Sequence, residues 1–88
     1  MKQEHPYFKI EWKERASRSS YLEMDDKYDI EVIDLRTNEV WKSFYRYEYM
    51  NSNGSYDKGV EEIGFSEDGN TLLVKMEGKA AIESYPLP

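Results

Sequence analysis

The stretch IGFSEDGNTLLVKMEGKAAIESYPL, residues 63–87, decides the fold class of this chain. It contains two apolar runs on either side of EDGN, and an Asp-Gly pair in that position is the strongest short-range signal for a β-hairpin. EGK then turns the chain again into residues 80–85, and the prolines of the final PLP end the ladder because proline lacks a backbone N–H. The stretch therefore predicts three short antiparallel strands. Its expected core residues are Ile63, Phe65, Leu72, Val74 and Ile82.

Two upstream segments also alternate between apolar and polar residues, which is typical of half-buried strands. Residues 7–14, YFKIEWKE, place Phe8, Ile10 and Trp12 on one face and charged side chains on the other. Residues 28–50 contain two such runs around the turn RTNE, where Asn38 can adopt a left-handed conformation. This second segment is therefore predicted to be a hairpin.

Two further segments lack a clear period. Residues 15–27 are predicted to form a loop, or a short helical turn that begins at Ser19 or Ser20 and runs through Met24. Residues 51–59, NSNGSYDKG, are polar and contain two glycines, so they are expected to be the most flexible part of the chain.

The segments together predict one mainly β domain that spans residues 1–88. It is expected to be a small antiparallel β-meander of five to six strands with at most one short helix. Its parts are an N-terminal strand at 7–14, a hairpin at 28–50 and a three-strand meander at 60–85. The sheet is expected to remain blade-like or to curl into a small barrel or sandwich.

Composition limits the classes of function. A chain of 88 residues is expected to be one domain, and the absence of cysteine excludes disulfides and thiolate metal sites. The net charge of −6 makes binding to nucleic acid unlikely and suits a partner with a basic surface. The N-terminal MKQEHPYFKIEW has no long apolar run, so neither a signal peptide nor a membrane association is expected. A cytoplasmic location is predicted, with secretion without a conventional signal as the alternative.

The residues that catalysis or metal binding would need are sparse. His5 is the single histidine, and beside Pro6 it is expected to be solvated near a frayed terminus. The serines have no evident histidine partner for a nucleophilic triad, and the acidic and amide clusters lack the ligand spacing of a calcium loop. The chain is therefore predicted not to be an enzyme, and no cofactor or metal ion is expected.

The strand FYRYEYM, residues 44–50, carries the sharpest functional signal. Alternation predicts that Tyr45, Tyr47 and Tyr49 share one face with Trp41, while Arg46 lies on the opposite face. Tyrosine is enriched at protein interfaces, and a row of rings can also stack bases or sugars. The structural alternative is that these tyrosines pack on Trp12 or Trp41 and send their hydroxyls to solvent.

The C-terminal part of the chain resembles a blade of a WD-repeat-like β-propeller. An apolar-Phe-Ser strand, an Asp-Gly turn, an apolar strand and a further glycine turn follow one another, as they do in that family. The residues that match in kind are Ile63, Phe65, Ser66, Asp68, Gly69, Leu72, Val74, Gly78 and Ile82. Upstream, Asp34 stands at the position of the family's Trp-Asp aspartate, whereas Ile33 replaces its tryptophan and Asn38 its turn glycine. The resemblance covers residues 28–87 and implies blade-like strands in this region.

The predicted function is non-catalytic binding of another protein, with self-association included. Two alternatives stay open. The chain could be a small acidic inhibitor, such as an immunity or phage anti-defence protein, that blocks a basic nucleic-acid-handling target. It could also bind a sugar or a single-stranded nucleic acid through its tyrosines. The predicted interaction residues are Trp41, Tyr45, Arg46, Tyr47, Tyr49, Asp25, Asp26 and Asp29.

Overall fold

The computed structural model describes residues 1–20 and 22–88, which form one antiparallel sheet and contain no helix. Its six strands follow one another in chain order from one end of the sheet to the other. The structure confirms the predicted mainly β fold and the antiparallel meander. Of the five to six strands predicted, it has six. The sheet is not closed, since β1 and β6 lie at its two ends. The strands are β1 (Phe8–Ser19), β2 (Glu23–Asp34), β3 (Glu39–Asn51), β4 (Gly54–Phe65), β5 (Thr71–Met76) and β6 (Ile82–Pro86).

The Asp-Gly turn joins β4 to β5, as its sequence predicts. The Asp68 carboxylate accepts hydrogen bonds from the Ser66 hydroxyl at 2.6 Å and from the Asn70 backbone N–H at 3.0 Å. The Ser66 hydroxyl, which donates to this carboxylate, holds the pKa of Asp68 below its usual range. The other predicted left-handed position is confirmed too, because Asn38 has a φ of 60° in the turn between β2 and β3.

The prediction of a loop at residues 15–27 is wrong, because β1 and β2 continue through most of that segment. Ser17 lies opposite Asp26, and its hydroxyl donates to that carboxylate at 2.6 Å. Ser19 and Met24 also pair as strand residues, so they do not belong to a helical turn. Tyr21, inside the predicted turn, lies outside the described residues. These half-strands carry polar side chains on both faces, so they lack the apolar period by which a strand is recognised.

Residues 51–59, expected to be the most flexible part of the chain, lie mostly in paired strands. β4 begins at Gly54 and pairs with β3 from there, with Tyr56 opposite Tyr49. The turn is tightened by the Asn51 side-chain oxygen, which accepts a hydrogen bond from the Asn53 backbone N–H at 2.8 Å. A polar composition here marks a two-sided, solvent-facing strand and not a loop.

β4 bends at Gly59 and changes its partner there. Gly59 has a φ of +84°, and a Cβ atom at this position would overlap the backbone oxygen of Tyr45. Before the bend β4 pairs with β3, and after it β4 pairs with β5 through a bulge between Val60 and Glu62. The bend folds β4, β5 and β6 back over β1, β2 and β3. The core side chains that meet between the two layers are Phe8, Ile30, Val32, Val60, Ile63, Phe65, Leu72 and Val74.

The outcome for the predicted core is mixed. Ile63, Phe65, Leu72 and Val74 are buried as predicted, but Ile82 is half-exposed. Ile82 lies at the start of β6, an end strand of the sheet. The prediction that Ile82 is a core residue is therefore wrong.

The N-terminal segment, residues 1–7, is held against the outer edge of β4. Lys2 and Phe65 exchange two backbone hydrogen bonds of 2.9 and 2.7 Å. His5 packs at 4.9 Å from the Phe65 ring, its Nδ1 accepts from the Tyr7 N–H, and its Nε2 donates to the Gly69 oxygen at 2.8 Å. The prediction of a solvated His5 at a frayed terminus is wrong, since the His5 ring links the N-terminal segment to the turn between β4 and β5.

The sheet thus has two regions, which we name the body and the arm. The body is the folded-over part with the core and the N-terminal segment. The arm is the single layer that extends beyond it, made of residues 15–19, 23–29, 45–51 and 54–59. Within the described residues, no helix is both long and apolar enough to cross a membrane.

Candidate interaction surface

One face of the arm carries four tyrosines. Tyr45, Tyr47 and Tyr49 alternate along β3 and share a face, as their spacing predicts. Tyr56 on β4 lies directly opposite Tyr49 and adds a fourth ring. We call the surface formed by Tyr45, Tyr47, Tyr49 and Tyr56 the tyrosine face.

Sequence reasoning missed Tyr56 because it assigned residues 51–59 to a loop. The signal that could have found it is the Asn53-Gly54 pair. Asn-Gly between strand-forming runs predicts a hairpin in the same way as the Asp-Gly pair at residues 68–69. A hairpin at Asn53-Gly54 brings Tyr56 back beside Tyr49.

Three of these rings pack on one another. The ring centroids of Tyr47 and Tyr49 lie 6.4 Å apart with planes only 15° apart, and those of Tyr49 and Tyr56 lie 5.2 Å apart. The Tyr49 hydroxyl accepts a hydrogen bond from the Asn51 amide at 3.1 Å and lies 3.4 Å from a Glu23 carboxylate oxygen. These contacts fix the positions of the three rings relative to one another.

The tyrosine face remains open to solvent. Tyr45 is 53% exposed and Tyr56 is 47% exposed, although both carry large apolar rings. The body's core lies on the other side of the sheet, where Phe44 packs next to Tyr85 at 5.8 Å between ring centroids. The tyrosines do not pack on either tryptophan, contrary to the structural alternative. Trp12 contacts Tyr28, and Trp41 contacts Phe8.

Trp41 does not belong to the tyrosine face, and the prediction that it does is wrong. The register of β2 and β3 shifts between Val32 and Ile33, where Trp41 is the extra residue. Such a bulge reverses the alternation of side chains along the strand. Trp41 therefore packs against the core, 5.7 Å from the Phe8 ring.

Arg46 lies on the opposite face, as predicted, but it is a structural residue there. Its side chain is only 14% exposed, and its guanidinium donates to Glu48 at 2.8 Å, Asp57 at 3.1 Å and the Val60 backbone oxygen at 2.6 Å. A further contact with Glu77 at 3.3 Å reaches the end of β5. Burial lowers the pKa of Arg46, but its hydrogen bonds to Glu48 and Glu77 outweigh burial and raise it. Arg46 thus ties the arm to the body.

The three predicted aspartates divide between the two faces of β2. Asp25 and Asp29 lie on the tyrosine face, opposite Tyr49 and Tyr45, whereas Asp26 points to the other side. Asp29 forms an ion pair with Arg15 at 2.8 Å. The structure therefore brings two of the three next to the tyrosines.

Tyr47 is the tyrosine whose ionisation its surroundings change most. Burial, then the neighbouring Tyr56 hydroxyl and the Asp25 carboxylate, raise the pKa of Tyr47 to about 12. Each of these surroundings disfavours a phenolate. Tyr47 is therefore neutral across the physiological range.

Two lysines flank Tyr47 across the sheet. Lys27 on β2 and Lys58 on β4 lie directly opposite Tyr47 on its two sides. The Lys27 ammonium lies 5.6 Å from the Tyr47 ring centroid, and the Lys58 ammonium lies 5.6 Å from that of Tyr56. The tyrosine face thus mixes both signs of charge. The prediction of a basic partner rests on the net charge of the chain and stays a prediction.

The tyrosine face is shallow and carries no metal-ligand cluster. A depression of about 280 Å³ lies beside Tyr45 and Tyr47. Across residues 1–20 and 22–88, no three His, Asp or Glu side chains are grouped closely enough to hold a metal ion. The tyrosine face can contact a ligand through aromatic rings, hydroxyl groups and ammonium groups.

No family model matches the chain, and comparisons with curated proteins and with solved structures give no match either. The resemblance of residues 28–87 to a WD-repeat-like blade stays a prediction.

Proposed function

We propose that this protein acts by binding another protein through the tyrosine face of the arm. The observation that carries the proposal is the contiguous row of four tyrosines on the side of the sheet opposite the core. Tyr45 and Tyr56 are about half exposed there, and the other two rings are partly covered by their neighbours.

The large ring area and the existing packing of the tyrosines both favour binding at this face. A tyrosine ring covers a large surface and loses little rotamer freedom on binding, and its hydroxyl can still find a hydrogen bond. Because Tyr47, Tyr49 and Tyr56 already pack on one another, the cost of ordering them is met before association. Such pre-ordered aromatic groups are the usual anchors of a protein interface.

The test is capture from an extract of the native host with three immobilised proteins. The first is the parent chain, and the second carries Tyr45→Ser and Tyr56→Ser. The third is a matched control, Val40→Ser with Ile82→Ser, which removes two half-exposed apolar side chains from the body. We expect a protein that the parent and the control retain and that the tyrosine variant loses. Equal retention by all three proteins would contradict the proposal.

The identity of the captured protein decides whether the chain acts as an inhibitor. The net charge of −6 steers it towards basic surfaces, which nucleic-acid-handling enzymes present. If such an enzyme is captured, adding the parent chain should lower its activity and adding the Tyr45→Ser, Tyr56→Ser variant should not. A captured protein whose activity stays constant indicates an adaptor and not an inhibitor.

One observation favours a second candidate, the binding of single-stranded nucleic acid. The row formed by Lys27, Tyr47 and Lys58 combines two ammonium groups with an aromatic ring, the combination that single-strand binding uses. Titration with an oligothymidylate at low salt tests it, read through tyrosine fluorescence because both tryptophans lie away from this face. A response that Lys27→Gln with Lys58→Gln removes would support this candidate, and a flat titration would exclude it.

A further inference from the structure

The outer edge of β1 is a second surface, separate from the tyrosine face. β1 is twelve residues long and lies at one end of the sheet, with β2 on its inner side. An edge strand presents a row of backbone N–H and C=O groups that a further strand can pair with. Proteins commonly protect such edges with charged side chains, and β1 carries Lys9, Glu11 and Lys13.

β1 also carries an exposed tryptophan and borders a groove. Trp12 is 44% exposed although it lies on the side of β1 that faces the core, with its ring 6.1 Å from Tyr28. Nearer the start of β1, a groove of about 840 Å³ runs between the N-terminal segment and the strand. The groove is lined in part by His5, Phe8 and Ile10.

The sequence of β1 is complementary to itself in one antiparallel register. When Ile10 lies opposite Ile10 of a second copy, Phe8 lies opposite Trp12 and Lys9 lies opposite Glu11. Within residues 8–12, each apolar residue then meets an apolar residue and each Lys9 meets a Glu11. Lys13 lies opposite Tyr7 of the other copy. Moving the two-fold axis by one residue in either direction places Lys9 or Glu11 opposite its own copy, where like charges repel.

We propose that two copies of this chain associate through antiparallel pairing of their β1 strands, centred on Ile10. The two sheets become continuous, and the interface is the same patch on both copies, as two-fold symmetry requires. Trp12 of each copy lies on the groove side of the other copy's Phe8 and covers the apolar lining there. Lys9 and Glu11, which discourage pairing with other strands, become attractive pairs in this register. Centring the axis on Trp12 also pairs Glu11 with Lys13, but it sets Lys9 opposite Arg15, where like charges repel.

Solution mass by light scattering tests the proposal, and variants that reverse the charge of Lys9 or Glu11 are the controls. The parent chain should show twice its mass of 10.5 kDa. Lys9→Glu should place Glu opposite Glu11 and raise the dimer dissociation constant about tenfold. The reason is that the Lys9–Glu11 pair occurs twice in the dimer, and the change makes both pairs repulsive. Glu11→Lys should place Lys opposite Lys9 with a similar effect.

Mixing the two single variants should restore the dimer, because each Glu then faces a Lys across the two-fold axis. The chain that carries both changes should also dimerise by itself. A parent that stays monomeric overturns the proposal, and so does a mixture that stays monomeric.

Tyr45→Ser with Tyr56→Ser should leave the mass unchanged. A monomer from that variant would mean that the copies associate through the tyrosine face, against this proposal.

Discussion

Four strands, β1 to β4, run through both the body and the arm, yet different interactions stabilise the two regions. In the body, β1, β2, β4 and β5 bury eight apolar side chains between two layers. None of the arm's described side chains belongs to that core, although β2 and β3 pair with each other in both regions. The arm is held instead by cross-strand pairs, the packed tyrosines and the Arg46 contacts. Parts of β1, β2 and β4 therefore build the core, while the arm carries the tyrosine face on one side and the Arg46 contacts on the other.

Phe65→Ala should show the largest difference between the two regions. Phe65 is fully buried in the core, and removing a buried phenylalanine ring typically costs about 3–5 kcal/mol of unfolding free energy. The matched change in the arm, Tyr45→Ala, should cost less than about 1 kcal/mol because the ring is half exposed. Urea denaturation of both variants measures the contrast. Equal losses would mean that the tyrosine face contributes to the core.

Gly59→Ala tests the bend that separates the two regions. The left-handed conformation costs a residue with a side chain about 1–2 kcal/mol, and here the methyl group would also overlap the backbone of Tyr45. Gly78 is a matched control, because its φ is +78° and a methyl group at this position would have nothing within 4 Å. We expect Gly59→Ala to lower the thermal midpoint well below that of Gly78→Ala. Equal midpoints would show that the bend tolerates a side chain.

Arg46→Met should loosen the arm while the body stays folded. Removal of the guanidinium leaves Glu48, Asp57 and Glu77 without their shared partner, at a cost of about 2 kcal/mol because these carboxylates are partly solvated. Arg46→Lys should not restore the loss, since one ammonium group cannot reproduce the forked contacts. Amide hydrogen exchange should accelerate at residues 45–51 and 54–59 more than at residues 71–76. Uniform acceleration would indicate that arm and body unfold together.

The smallest expected effect is the loss of stability at high pH that Tyr47 causes. Its pKa rises from 10.0 to about 12 on folding, first through burial, so the folded chain keeps the proton that the unfolded chain loses. A raised pKa adds stability that is complete below pH 10 and disappears as the pH rises towards 12. Tyr47→Phe should flatten the fall in stability across that window. Denaturation curves for both proteins check this, and identical pH dependence would contradict it.

The same contrast explains how much of the fold the sequence predicts. Strands that bury one face alternate visibly, so Phe8, Ile10 and the Asp68-Gly69 hairpin are recognised in the body. The half-strands of the arm add no residue to the core, so most of the residues at 15–27 and 51–59 are polar and resemble those of loops. The strands in these two segments are missed for that reason.

The candidate site is predictable to a similar degree. Alternation alone places Tyr45, Tyr47 and Tyr49 on one face. Trp41 is misplaced because a bulge, which leaves no apolar signature, reverses the alternation before it. Tyr56 and the lysines beside Tyr47 depend on strand register, and register follows from the Asn53-Gly54 turn and not from hydrophobic pattern.

Whether the tyrosine face is the binding surface is decided by the amount of host protein that the Tyr45→Ser, Tyr56→Ser variant captures. The Val40→Ser, Ile82→Ser protein is the control. We expect the tyrosine variant to lose the captured protein while its thermal midpoint stays close to that of the control. Full capture by the folded tyrosine variant would show that the tyrosine face is not the binding surface.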